Sequence, residues 1–367
     1  MIKLRVVSWN VGFGSRKKDF VQLDSDRAKK ILYFVNSLKI DAVALQEIAN
    51  REYSDNSPSF NLTKYLSDND YNLSSIHFEP TISLGSRHSY PYGKLPELNK
   101  KFAIKWQENG LGIWIRNINN WQLKNLYSDD PTLPVTVEVQ RPLSHPLYMG
   151  EAPAPKGMED DKNYSAGRDE EDRPVLWSRI YRTDRKLSNL KIYFASLHLP
   201  TLKGEEQGCS KGIFNKSQQN IFYNVLRLSG KKIGSYTIDD LASEYRQYFL
   251  NHLIAQVMRI EEYWKVGSSE NKCIFILAGD FNFYHSTPMI LHKVGEQIFL
   301  ENSGFERAKL DGSTRPGNRL IDNIWVKGAE KIAEWKEEHR SIEEIDAYVQ
   351  SLKKLSDHYP VIAEICF

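Results

Sequence analysis

Asp280 and Asn282 stand in the tetrapeptide Gly279-Asp280-Phe281-Asn282, which follows the apolar run Cys273 to Ala278. An apolar run of this length reads as a buried strand, so both polar side chains fall where that strand ends. Alternation along a strand points residues two apart the same way. A carboxylate and a carboxamide placed together can hold a divalent cation and the water or phosphate beside it, which is what metal-assisted phosphate ester hydrolysis requires. A strand followed by an ordinary Asp/Asn turn presents the same residues. The choice between the two readings rests on the rest of the chain.

Three other strand ends repeat the device, and two segments near the C-terminus add to it. Leu4, Val6 and Ser8 share a face that ends in Asn10, just before Gly12-Phe13-Gly14. Val43 and Leu45 lead to Glu47. Ile192, Phe194 and Ser196 lead to His198, and Pro200 blocks further pairing. Near the C-terminus, Asp322 lies within the apolar run Leu320 to Val326, and Ser356-Asp357-His358 precedes a closing strand, Val361 to Ile365. Taken singly, Asn10 reads as a turn residue, Glu47 as a loop acid, His198 as a satisfied structural histidine, Asp357 as a turn cap and His358 as a surface residue. Their recurrence at the ends of apolar runs points instead to one shared site. His285 and His292 show no metal-ligand spacing and read as structural, and neither Gly12-Phe13-Gly14 nor Gly110-Leu111-Gly112 is followed by the Lys-Ser/Thr of a P-loop.

The ordered set Trp9-Asn10, Leu45-Gln46-Glu47, Ser196-Leu197-His198, Gly279-Asp280-Phe281-Asn282, Ile321-Asp322-Asn323-Ile324 and Ser356-Asp357-His358 resembles the endonuclease/exonuclease/phosphatase superfamily, the DNase I-like hydrolases. The resemblance runs from residue 3 to residue 365. It implies an α/β (α+β) fold, a four-layer sandwich of two mixed β-sheets flanked by helices, with one metal-dependent phosphoesterase site at one edge. It also implies the roles. Glu47 is the main metal ligand, with Asn10 and Asp357 contributing directly or through water. Asp280 orients and deprotonates the attacking water, Asn282 holds that water or a phosphate oxygen, and His198 and His358 hydrogen-bond the phosphate with Asn10 nearby. Asp322 pairs with His358, since a lone carboxylate within an apolar strand is costly. Hard oxygen ligands select Mg²⁺, with Mn²⁺ as the substitute.

Within the superfamily, a histidine at position 198 is unlike the exonuclease III type and more like DNase I, sphingomyelinases, inositol polyphosphate 5-phosphatases and deadenylases. Inositol phosphatases carry Cys-Asp-Arg where this chain reads Ile321-Asp322-Asn323, which disfavours that branch. The expectation is a Mg²⁺-dependent phosphodiesterase, a nuclease with DNA or RNA as substrate. The runner-up is a phosphatase or phosphodiesterase for a nucleotide, inositol phosphate or lipid headgroup. A catalytically silent binding module is a third reading, against which the intact residue set stands.

Composition bounds the remaining choices. A chain of 367 residues can bury a large core, and motifs near both ends favour a single domain over residues 1–367. A net charge of +2 excludes the global basic field of a nucleic-acid coating protein. Three cysteines without paired spacing exclude a disulfide framework or zinc ribbon. A strand beginning by residue 4, with no leader pattern and no apolar run long enough to span a bilayer, predicts a soluble, intracellular, cytoplasmic protein.

The elements that must position these residues are partly legible. Asp24 or Ser25 is placed to cap a helix carrying Ala28, Ile31, Leu32, Val35 and Leu38 on one face. Leu250, Leu253, Ile254, Val257 and Trp264 predict a second. Strands are expected at Asn109 to Ile115 and Arg173 to Tyr181, and rim loops between Arg51 and Lys105. Insertions are expected at about 129–172, 201–240 and 329–355, the last with a helix opened by Ser341-Ile342-Glu343-Glu344.

Overall fold

The computed structural model describes residues 2–12, 21–53, 60–61, 77–79, 104–116, 121–125, 175–182, 189–199, 238–283, 295–308, 314, 320–334, 355–356 and 358–367. Two parallel strand pairs form its centre. In the first, β1 (Lys3–Asn10) and β2 (Ala42–Tyr53) are joined by helix α1 (Val21–Ser37). In the second, β8 (Leu190–His198) and β9 (Lys272–Asp280) are joined across a longer connection that includes α2 (Ile238–Gly267). Parallel neighbours need a crossover of this kind, and the crossover helix covers the sheet it leaves.

Antiparallel strands extend each pair into a mixed sheet. The first sheet runs β12 (Lys331–Glu334), β13 (Val361–Cys366), β1, β2, β5 (Ile104–Ile115), β4 (His77–Glu79), with β3 (Phe60–Asn61) also on β2. The second runs β10 (Glu306–Arg307), β11 (Asp322–Lys327), β9, β8, β7 (Val175–Arg182), β6 (Trp121–Asn125). A third helix, α3 (Gly295–Asn302), precedes β10.

Alternation sorts the apolar side chains into three layers of core. Leu4, Val6, Ala42, Ala44, Ile192, Phe194, Ile274, Ile276, Ile324 and Val361 meet between the sheets. Val7, Trp9, Val43 and Leu45 face outward beneath Ala28, Ile31, Leu32, Val35 and Leu38 of α1. On the other side, Tyr193, Phe275, Leu277 and Trp325 lie under Leu250, Leu253, Ile254 and Val257 of α2 and Leu300 of α3. Helix, sheet, sheet and helix make the expected four layers.

Some local expectations shift. Asp24 and Ser25 lie inside α1, which begins at Val21, so neither is its cap. Part of the segment read as rim loops is strand: β2 continues through Tyr53, and β5 starts at Ile104. The 129–172 insertion and the helix expected from Ser341 lie outside the described residues, as does the 201–240 insertion up to Ile238. Within 329–355, Lys331 to Glu334 form the edge strand β12.

Candidate active site

The C-terminal ends of β1, β8 and β9 and the irregular middle of β2 around Glu47 open on the same edge of the sandwich, and the start of β11 joins them because it runs antiparallel to β9. Register then sets neighbours. His198 is paired with Asp280, and Asp280 with Asp322.

Asp280 is the hub. Its Oδ2 accepts a hydrogen bond from Asn10 Nδ2 at 3.2 Å and lies 3.5 Å from His198 Nε2 and 3.8 Å from His358 Nε2. Its Oδ1 accepts the Asn282 N–H at 2.9 Å, an Asx turn that closes the strand. Asn10 Nδ2 also donates to Glu47 Oε1 at 3.0 Å, and Glu47 Oε1 lies 3.9 Å from His198 Nε2. His358 Nδ1 stands 2.9 and 3.0 Å from the two oxygens of Asp322, in a pair that is almost wholly buried. This contact fixes the ring and leaves Nε2 directed toward Asp280.

Burial pushes the Asp280 carboxyl up to about 6, and the neighbouring Asp322 charge adds to the rise; His358, the Asn282 N–H and the Asn10 amide pull the other way. A carboxylate with its titration moved toward neutrality is suited to take a proton from water.

Asn10, Glu47, His198, Asp280, Asn282, Asp322 and His358 thus converge, while Asp357 lies outside the described residues. Two of them arrive by routes that alternation does not give. Val43 and Leu45 point outward under α1, so simple alternation would carry Glu47 outward as well. Register shifts on either side of Ile48 and a left-handed backbone at Glu47, φ 52°, turn its side chain to the edge instead. Asn282 lies beyond the end of β9 with φ 51°, and its Nδ2 donates to Leu199 O at 2.7 Å. Asn tolerates this conformation better than most residues.

Three supporting residues carry the corner. Arg27 of α1 donates from Nε to Leu355 O at 2.7 Å and from Nη2 to Val11 O, tying the turn after Asn10 to the segment before His358. Ser356 Oγ donates to Asn10 O at 2.7 Å and accepts the His358 N–H at 3.1 Å. Thr314 Oγ1 accepts the N–H groups of both Ile321 and Asp322, and its carbonyl accepts that of Tyr359. Arg27 was detectable as a lone base on the apolar stripe of α1. Thr314, within a polar run of turn formers, gave no signal.

One ligand atom from each of Asp280, Asp322 and His358 lies within 4.8 Å of the others, a cluster able to coordinate a divalent metal ion. Glu47, the least buried acid of the corner, adds a carboxylate at its mouth.

The family model for the endonuclease/exonuclease/phosphatase family matches residues 7–358. The chain belongs to this family. A search of curated proteins gives no significant match. Among solved structures, D. rerio TDP2 complexed with a single-strand DNA product is 13% identical, aligned over 100% of this chain and 99% of its own, with a TM-score of 0.41. The human Nocturnin catalytic domain with bound sulfate anion is 13% identical over 100% and 94%, with a TM-score of 0.49. An endonuclease/exonuclease/phosphatase protein from Beutenbergia cavernae is 15% identical over 100% and 72%, with a TM-score of 0.48. In this endonuclease/exonuclease/phosphatase chain, no helix among the described residues is long and apolar enough to cross a membrane.

Proposed function

We propose that the chain is a Mg²⁺-dependent phosphodiesterase whose substrate is DNA or RNA. The observation that carries this reading is the convergence of Asn10, His198 and His358 on one carboxylate oxygen, Asp280 Oδ2.

The donor set fits the metal. Glu47, Asp280 and Asp322 bring three carboxylates into one corner, beside the imidazoles of His198 and His358. That excess of hard oxygen suits Mg²⁺, or Mn²⁺ in its place. Both ring nitrogens of His358 already face carboxylates, Nδ1 toward Asp322 and Nε2 toward Asp280. We therefore assign the metal to Glu47, with Asn10 and Asp357 as its further ligands, and keep Asp322 as the partner of His358. A bound Mg²⁺ supplies positive charge against the negative charge that develops on the phosphoryl oxygens.

The chain's own groups do the rest. Asp280 Oδ2 takes the proton of the attacking water as the oxygen closes on phosphorus, while Oδ1 stays held by the Asn282 N–H. His198 and His358 donate from Nε2 to the non-bridging oxygens, and Asp322 keeps the His358 ring in the orientation that allows it. Asn282 holds the water or a phosphate oxygen. The P–O bond to the leaving group breaks in line with the attack, and the leaving oxygen takes up a proton from solvent water.

The test is cleavage of labelled single- and double-stranded DNA and RNA with Mg²⁺, Mn²⁺ or EDTA, run beside Asp280→Asn. Cleavage that needs metal and is lost in the variant is the expected result. Intact polymers under every metal, with phosphate released from small phosphoesters, would overturn the assignment to nucleic acid.

A further inference from the structure

Gln46 is fully buried between the two sheets, in register with Asn10 at the candidate active site. Its side chain reaches from β2 of the first sheet to β8 of the second, donating from Nε2 to Ser196 Oγ at 3.0 Å. Ser196 Oγ donates in turn to Leu45 O at 3.3 Å, returning the contact to β2. Ser8 Oγ on β1 lies 3.5 Å from Gln46 Oε1. Ser8 and Ser196 are fully buried as well. The result is a directed chain of hydrogen bonds, Ser8 to Gln46 to Ser196 to the Leu45 carbonyl, crossing the gap between sheets that apolar side chains fill elsewhere.

Each member lies next to a site residue along its strand or across the register. Ser8 is two residues before Asn10 on β1, and Ser196 two before His198 on β8. Gln46 is paired with Asn10 in the β1/β2 register, its carbonyl accepts the Val11 N–H at 3.0 Å, and the next residue is the left-handed Glu47. Glu47 and Asn10 belong to one sheet, His198 and Asp280 to the other, so their mutual distances depend on how the sheets are held apart. Apolar packing sets that separation loosely, because it is non-directional. A hydrogen bond sets it within tenths of an ångström. Replacing a buried polar group and its partner by apolar groups of the same shape is close to neutral for stability. The polarity of this layer is therefore not explained by stability alone.

We infer that Gln46 is a positioning residue which, through Ser196 and Ser8, fixes the two sheets beside the site and so sets the reach between Glu47 on one sheet and His198 with Asp280 on the other. The inference rests on the reading of this corner as a phosphoesterase site. Displacement of catalytic groups by about 1 Å can cost on the order of 100-fold in rate, and loss of supporting contacts about 10- to 100-fold in metal affinity or activity.

The experiment compares wild type, Gln46→Met, Ser196→Ala and the double variant, with Asp280→Asn as the inactive control. Three readouts are taken: melting temperature in EDTA, Mn²⁺ binding by calorimetry, and kcat and KM on bis(4-nitrophenyl) phosphate at saturating metal. The expected result is a folded Gln46→Met protein with KM within about twofold of wild type, kcat lowered roughly 10-fold or more, and weaker Mn²⁺ binding. The double variant should be no worse in kcat than Gln46→Met, since both changes break the same link. A lowered melting temperature with kcat and Mn²⁺ affinity unchanged would overturn the inference and leave Gln46 a structural residue. A wild type that neither binds Mn²⁺ nor hydrolyses the diester would overturn the site reading itself, and the inference with it.

Discussion

Asp280 and Asp322 occupy directly opposed positions on antiparallel β9 and β11, so two carboxylates share one buried corner. Like charges so placed repel, and His358 offsets the repulsion, with Nδ1 toward Asp322 and Nε2 toward Asp280. Burial displaces the Asp280 carboxyl toward neutrality, and the opposed Asp322 charge adds to the rise.

Asp280 titrates near 6 in the fold, above its ordinary value of 3.8, so the folded chain holds this proton more tightly than the unfolded one. Its contribution to stability is then greatest below the ordinary value and is lost as pH rises through about 6. In metal-free protein, Asp280→Asn removes that penalty. Its melting temperature relative to wild type should be more favourable at pH 8 than at pH 4.5, roughly two units on either side of the folded titration. Scanning calorimetry in EDTA decides it; a difference that is flat with pH contradicts the assignment. Catalysis should move oppositely, falling as pH drops and the base is protonated, and the variant should lose about 10²- to 10⁴-fold in kcat.

His358→Ala leaves the Asp322 carboxylate fully buried without its partner, a change worth about 3–5 kcal/mol. Asp322→Ala combined with His358→Ala removes both members, and the double variant should be markedly less destabilised than the sum of the single ones. Urea unfolding of the four proteins measures the coupling. Additive losses would mean that the two side chains do not act as a pair.

The fold was legible wherever alternation was uninterrupted. Leu4, Val6 and Ser8 do lead to Asn10, and Ile192, Phe194 and Ser196 to His198, because those strands run regularly to the edge of the sandwich. Glu47 and Asn282 reach the same corner by another route, Glu47 on a strand that bulges beside it and Asn282 past its strand in a turn. In both cases side-chain direction comes from a left-handed backbone, and nothing in the apolar pattern announces one. Thr314 was silent for a different reason: its task is to accept two N–H groups of a neighbouring segment, and any hydroxyl in a polar loop looks the same from sequence.

Glu364 on β13 gives the opposite pH dependence from Asp280. Burial alone would raise its carboxyl, but hydrogen bonds from Lys3 and Arg5, together with their charges, hold it below its ordinary value of 4.5. Its contribution is present above that value and disappears as pH falls through the lower folded one. Glu364→Gln should therefore melt closer to wild type in acid than at pH 7. A melting-temperature gap that widens toward acid would exclude this ion pair as a source of the acid limb.

Glu47 combines two properties that substitutions separate. As the proposed metal ligand, it should be needed for stabilisation by Mg²⁺, which for wild type amounts to about 2.7 kcal/mol at a metal concentration 100-fold above the dissociation constant. Glu47→Gln keeps the side-chain shape, so it should melt near wild type in EDTA yet gain little from Mg²⁺. As a residue at φ 52°, Glu47 also bears backbone strain that a glycine would not. Glu47→Ala should then be less stable than Glu47→Gly by about 1 kcal/mol, reversing the usual order for a strand, in which glycine is the weaker residue. Melting curves of the three variants with EDTA and with Mg²⁺ test both halves at once. Full Mg²⁺ stabilisation of Glu47→Gln would remove Glu47 from the metal site, and an alanine variant more stable than the glycine one would show that the left-handed turn is not held in solution.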